Sequence, residues 1–402
     1  ISWGSRVKQL PTSPSRLTSE VSSLEWSSSF SGEHKSTVTQ RPSPRTMNSE
    51  MKLFIIFLLT AFSSAQLKEA LEKSVADGTP GMAAIVFDQE KIIARAEVGH
   101  QTSAQKTPIT KDNLWHIGSD GKAMTATLLA RLVERDLIQW GTPLSKIFPK
   151  NSQKFHPTAQ AITIEQLLSH TAGLPANVDD ALFMKARKAG DKRIVKQRLE
   201  VAQIMLAREP LHQPGTKFLY SNTGYVIAGA VAEKLLKTTW EKAIRKEVFD
   251  PLGMKSPGFG APDGKNPRGH MVNGKTRQAT FIGYMGDNPA IYGPAGGIHL
   301  SLHDWLKFAR DHLGGHQLLE KETYTKLHQP VLNDYALGWG AREKDGVTTR
   351  LAHDGSNTLW YARIHLQLNR GKGFLIVAND AAKSTKNAIH EIDDICVEIM
   401  RK

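Results

Sequence analysis

One cysteine, Cys396, occurs in the 402 residues, so no internal disulfide can form and the fold must be held by its hydrophobic core. Long apolar runs are also missing. The longest covers the ten positions Leu53 to Phe62, half of the roughly 20 residues that a membrane-spanning helix needs. The 15 histidines include no His-x-x-x-His pair with Glu after the first His, and no Cys cluster exists. No metal and no cofactor is therefore implied, and no Gly-rich phosphate loop is present. Negative charge is in deficit, with 39 acidic residues against 52 Lys and Arg.

Residues 1–50 are rich in Ser, Thr, Pro and Arg with little apolar periodicity. They are expected to be an upstream or disordered segment. Met51-Lys52, the apolar run and Ser63-Ser64-Ala65 follow the plan of a secretory signal peptide, so residues 51–65 are expected to be removed and the rest exported. Without residues 1–65 the chain keeps 52 − 7 = 45 cations and 39 − 4 = 35 anions, about +10. That balance suits anionic partners such as cell-wall polymers. Export sets nucleic acid aside, and the densest basic stretch, Lys185 to Arg198, has no aromatic residue on which bases could stack. It reads as a solvated face. No stable membrane insertion is expected.

Residues 66–402 are long enough for a sizeable core. Gln66 to Ala76 has a helical apolar stripe. Gly81–Phe87 and Lys91–Val98 read as a β-hairpin, and residues 123–255 are mostly helical. Thr163 with Gln166 forms a capping box for a helix from Ile164 to His170, and Ser301 with Asp304 opens another in the same way, to about Leu313. Strand patterns return at Tyr335–Ala341, Arg350–His353, Trp360–Leu368 and Gly373–Ala378. A last helix, Lys386 to Met400, carries Cys396 on its apolar face. The fold class is α/β (α+β): an antiparallel sheet built from both chain ends and flanked by helices, with a mostly helical insertion. The α/β part covers about 66–118 and 280–402, the helical part about 119–279.

Three short motifs carry chemistry. Ser119 stands three residues before Lys122, a spacing that puts hydroxyl and amine on one helix face. Near a helix start, free N–H groups also favour developing negative charge. The spacing is common, recurring for example at Ser5 to Lys8 and Ser103 to Lys106, and does not by itself distinguish a nucleophile from a cap. Tyr220 and Asn222, two apart, face the same way in extended chain; of seven tyrosines only Tyr220 has Asn at that offset. His353 and Gly355 lie at a strand end, where a glycine would let a substrate lie close.

Taken in this order, the motifs resemble those of the serine β-lactamase and penicillin-binding protein superfamily. The second motif is Tyr220-Ser221-Asn222, as in class C β-lactamases and their esterase and D-peptidase relatives; the third is His353-Asp354-Gly355 rather than Lys-Thr-Gly. Leu167-Leu-Ser-His-Thr-Ala-Gly-Leu-Pro175, Pro251-Leu-Gly-Met254 and Gly296-Gly297 are similar too. The resemblance implies a β-lactamase/transpeptidase-like fold and a cofactor-free serine hydrolase. Ser119 would form an acyl-enzyme with a small-molecule or peptide ester or amide, and Lys122 and Tyr220 would share the proton transfers. Either could be the base: ionising a free Tyr at pH 7 costs about 4 kcal/mol unless cations lower it. Asn222 would orient Lys122 and substrate, the N–H groups of Ser119 and Ser356 would form the oxyanion hole, and His353 would meet the substrate's polar end. A His there holds a carboxylate less firmly than a Lys. Esterase, D-peptidase and β-lactamase activities remain open, with a non-catalytic ligand-binding or sensor domain as the alternative.

Overall fold

The computed structural model describes residues 49–280 and 286–402. The expected upstream segment lies outside the described residues, save for its last two positions. Eleven strands are described: β1 (Gly81–Asp88), β2 (Ile92–Gly99), β3 (Leu114–His116), β4 (Gly258–Phe259), β5 (His270–Asn273), β6 (Thr276–Ala279), β7 (Ile298–Ser301), β8 (Gly340–Lys344), β9 (Val347–Ser356), β10 (Tyr361–Gln367) and β11 (Lys372–Ala378). The main sheet is antiparallel, in the order β2-β1-β11-β10-β9-β8, so strands from the two ends of the domain meet at the β1–β11 pair.

Side chains alternate across a strand, and in β1 both faces are apolar. Met82, Ala84 and Val86 pack with Leu67, Leu71, Ile389, Ile392 and Cys396, on helices Ser49–Ala76 and Lys383–Arg401. Ala83, Ile85 and Phe87 belong to a larger core with the helical region, including Trp305 and Phe308. Burial raises the Cys396 thiol well above its ordinary range, which keeps it a packed, un-ionised group. The first helix runs unbroken through residues 51–65, and Ser64 Oγ accepts the Arg95 N–H at 3.2 Å. Among the described residues no helix is long and apolar enough to cross a membrane.

Several boundaries differ from the sequence reading. The capping box at Thr163 and Gln166 is complete, heading Ile164–Leu168. At Ser301 only half of one forms. Ser301 Oγ accepts the Asp304 N–H, while the Asp304 carboxylate turns outward to the N–H groups of Lys255 and Ser256; past Arg310 the helix continues as a π-helical turn, Asp311–Gly315, in keeping with the expected end near Leu313. The strand expected at Tyr335–Ala341 starts at Gly340 instead. The preceding turn places Gly338, at φ +84°, so close to Lys122 O and Ala123 Cα that a Cβ would stand 3.0 and 2.9 Å from them. Docking on the helix Gly121–Glu134, which carries Lys122 and Ala123, overrides the local strand pattern. The short strands β3 to β7 carry too little periodicity to be read, and β4 to β6 interrupt the stretch expected to be helical.

The basic stretch is largely solvent-facing, with one exception. Arg198 is fully buried, 2.6 Å from Glu233 and 2.5 Å from Glu241, and it donates to the carbonyls of Ala290 and Ile291.

Candidate active site

Strand β3 runs into the nucleophile turn. Ile117 N–H bonds Ile298 O of β7, Gly118–Asp120 form a 3-10 turn, and the helix Gly121–Glu134 follows. Ser119 therefore sits one tight turn before the α-helix. Gly118 takes φ +51°, a conformation that glycine tolerates best. A Cβ there would stand 2.3 Å from Ser356 N, and one on Gly355 would stand 1.8 Å from Ile117 O and 2.8 Å from the Asp120 carboxylate. The nucleophile turn and the end of β9 thus meet backbone to backbone. A side chain at Gly355 would run into Ile117 and Asp120, so the glycine is required by this contact. Gly355→Ala is expected to cost about 1–3 kcal/mol through overpacking, seen as a lower denaturant midpoint; an unchanged midpoint would contradict this contact.

Lys122 is fully buried. Its Nζ lies 3.0 Å from Ser119 Oγ, 2.8 Å from Asn222 Oδ1 and 2.5 Å from Ala295 O. Burial strips water from the ammonium, only partly offset by the charge of Asp120, and the amine falls from 10.5 to about 7. A neutral amine has two hydrogens and one lone pair. With Asn222 Oδ1 and Ala295 O taking the hydrogens, the lone pair is left for the Ser119 proton.

Tyr220 faces the same amine, its ring centre 4.9 Å from Nζ. Burial raises its phenol above the ordinary value; a hydrogen bond with Ser119 pulls the other way, and Asp120 and Asp354 add to the rise. It is a phenol that keeps its proton. The segment around His170 sets its position: His170 Nδ1 accepts the Ser221 N–H at 3.0 Å, and its ring lies 4.2 Å from that of Tyr220. Asn222 Nδ2 donates to Asn177 Oδ1 at 2.9 Å, which fixes the amide with its oxygen toward Lys122.

His353 is brought to the same place but faces inward. Its Nδ1–H donates to Asp354 O at 2.9 Å and its Nε2 lies 3.1 Å from Tyr335 OH, so both nitrogens are engaged inside the protein. Burial, then the nearby Lys122, lower it to about 4, so it is neutral at physiological pH. Asp120, the residue after the nucleophile, is buried with neither oxygen hydrogen-bonded among the described residues. Burial first and the charge of Asp354 second raise its carboxyl well above the carboxylate range.

Ser119, Asn222 and Ser356 open on one cleft of about 300 Å³, walled also by Asn177, Phe183, Asn288 and Tyr292. Among the described residues its charged lining residue is Asp180, and no Lys or Arg contributes to the walls. Among the described residues no group of His, Cys, Asp or Glu is arranged to hold a metal ion. Sequence reading did not find Asn177, the Ala295 carbonyl or Asp120. These act through contacts between distant segments, and only Asp120, inside Ser-x-x-Lys, carried a positional signal.

The chain is similar to Protein flp of Staphylococcus aureus (strain N315), 24% identical over 332 residues, 80% of this chain. It spans about two-thirds of that relative's length, 64%. Among solved structures it resembles EstCE1, described as a hydrolase with promiscuous acyltransferase activity (TM-score 0.71, 16% identity, covering 84% of this chain and 99% of that one). It also resembles a D-stereospecific amidohydrolase from Streptomyces sp. (TM-score 0.62, 25% identity, covering 81% and 98%). The family model described as Beta-lactamase matches residues 67–395. With its mixed helical and antiparallel architecture, Ser119 and Asn222 on one cleft, and Lys122 in contact with both and with the Tyr220 ring, the chain belongs to the Beta-lactamase family.

Proposed function

We propose that the protein is a serine hydrolase that cleaves an ester or amide through an acyl-enzyme on Ser119. The observation that carries this reading is the buried Lys122 amine, 3.0 Å from Ser119 Oγ, with two other acceptors taking its hydrogens. Neutral Lys122 takes the Ser119 proton as Oγ attacks the carbonyl carbon. Tyr220, un-ionised beside the Lys122 amine, passes its proton to the leaving group and recovers one from the Lys122 ammonium, which restores the neutral amine. The N–H groups of Ser119 and Ser356 hold the oxyanion. Water then attacks the acyl carbon, gives its proton to the neutral Lys122 amine, and Lys122 returns that proton to Ser119 Oγ as the acyl bond breaks and the acid leaves. Among the described residues the cleft walls carry carboxamides, aromatic rings and the Asp180 carboxylate but no cation, and His353 is neutral and turned away. That composition favours uncharged esters and amides over acyl donors recognised by a carboxylate. The sequence Met51–Ala65 supports export of the processed chain.

The test is covalent labelling by a fluorophosphonate, followed by intact mass. One adduct on the wild-type protein and none on Ser119→Ala is the expected result, and the mass also reports the processed terminus. Folded wild-type protein that never labels, and turns over neither p-nitrophenyl esters nor a chromogenic cephalosporin, would favour a non-catalytic ligand-binding domain.

A further inference from the structure

Asp287 belongs to none of the three motifs, yet it ties together both backbones that meet at Ser119. It is buried, and its Oδ2 lies 2.9 Å from His116 Nε2. Its Oδ1 accepts from Asn357 Nδ2 at 2.8 Å and from the Asn288 N–H at 2.7 Å. His116 Nδ1 in turn accepts the Gly118 N–H at 3.1 Å. A backbone N–H can only donate, so Nδ1 is the bare nitrogen and the ring hydrogen sits on Nε2, donated to Asp287. The imidazole is held flat against Trp360, ring centres 5.5 Å apart. Gly118 immediately precedes Ser119, and Asn357 immediately follows Ser356. Burial alone would raise the Asp287 carboxyl, but the His116 ring and the hydrogen bonds from His116, Asn357 and Asn288 hold it below the ordinary value. It is a buried carboxylate with its oxygens committed.

We propose that Asp287 is a positioning residue for acyl transfer: through His116 on one side and Asn357 on the other, it fixes the spacing of the Ser119 and Ser356 N–H groups. The inference rests on the acyl-transfer reading above. Oxyanion donors act by being held in place before charge develops, so a small displacement removes much of their effect. An asparagine at this position has the same shape but one oxygen. Turning its NH₂ toward His116 would move the ring hydrogen to Nδ1, opposite the Gly118 N–H. Turning it toward Asn357 would oppose two NH₂ groups, and Asn357 cannot flip without losing the Leu359 and Trp360 N–H bonds to its oxygen.

The experiment compares Asp287→Asn, His116→Asn and the double variant in p-nitrophenyl acetate hydrolysis, with imidazole ¹⁵N spectra of histidine-labelled protein. Asp287→Asn is expected to lower kcat about 10²-fold, the scale of one lost oxyanion donor, with KM and the denaturant midpoint little changed. His116→Asn can still accept the Gly118 N–H, as an Asx turn does two residues on, and it no longer needs Asp287. Asp287→Asn in that background is therefore expected to add no more than about threefold, a non-additivity that marks a shared network. The wild-type spectrum should place the His116 hydrogen on Nε2. A hydrogen on Nδ1, a kcat within threefold of wild type, fully additive losses, or a loss that follows a fallen midpoint would each overturn the inference. Wild-type protein that never labels at Ser119 overturns the acyl-transfer reading itself, whereas labelling indifferent to Asp287→Asn overturns only the role of Asp287.

Discussion

Lys122→Met is expected to lower kcat/KM for ester hydrolysis by roughly 10³-fold, the range that a positioned general base supplies. Stability is expected to hold or rise. A lysine whose amine falls from 10.5 to about 7 on folding must shed its proton or bury it charged at any pH below 10.5, and methionine has no such cost. Against this stand the two acceptors left behind, Asn222 Oδ1 and Ala295 O. A loss of activity with a steady or higher denaturant midpoint separates a catalytic role from a structural one; a parallel fall in both would count against the base. The wild-type pH profile should agree. The competent form is the neutral amine, so kcat/KM should climb about tenfold per pH unit up to about pH 7 and flatten above it. A profile flat from pH 5 to 8 would remove Lys122 as the base whose ionisation limits the rate.

Arg198→Met is expected to destabilise the protein by about 3–5 kcal/mol, the cost of breaking a buried ionic group on one side. The guanidinium lies between Glu233 and Glu241 with no exposure of its own side chain, and Glu233 is almost as deeply buried. Burial already pushes Glu233 upward, with Arg198 as the main force lowering it. Without the arginine, Glu233 would rise further above its unfolded value. A group with a raised folded pKa adds stability below its unfolded pKa and loses it as pH rises, so the variant's deficit should shrink toward pH 4 to 5 and widen toward neutrality. Adding Glu233→Gln and Glu241→Gln should restore part of the loss. Denaturant midpoints across that pH range check both points, and a deficit independent of pH would sink the electrostatic account. Arg198 also holds Ala290 O and Ile291 O, just before the turn that presents Ala295 O to Lys122, so the variant should also lose activity.

Much of the architecture was legible because its signals are local. β1 and β11 are short runs of apolar residues, the Thr163 capping box uses residues three apart, and the closing helix repeats its apolar residues at helical spacing. The first of the four late strand patterns was misplaced at Tyr335 because Gly338 answers to the Lys122–Ala123 backbone, more than 200 positions earlier. Arg198 looked like one more cation of a solvated face because its two glutamates lie 35 and 43 positions away on other helices.

The candidate site divides in the same way. Sequence alone determined which side chains could take part: a serine with a lysine three residues on, a tyrosine with its asparagine, and a histidine before a glycine, in an order that matches one family. It left open whether Lys122 or Tyr220 is the base and set His353 at the substrate's polar end, and both points depend on burial and on partners supplied by other segments. Tertiary structure supplies that burial and those partners. Burial lowers the Lys122 amine to about 7 and keeps the proton on Tyr220, the turn at Ser119 docks on the Gly355 backbone, and His353 finds partners in Asp354 O and Tyr335 OH. Residue identity fixes which groups can ionise; only the packing of distant segments sets the water and charge around each, and with them the proton each one holds.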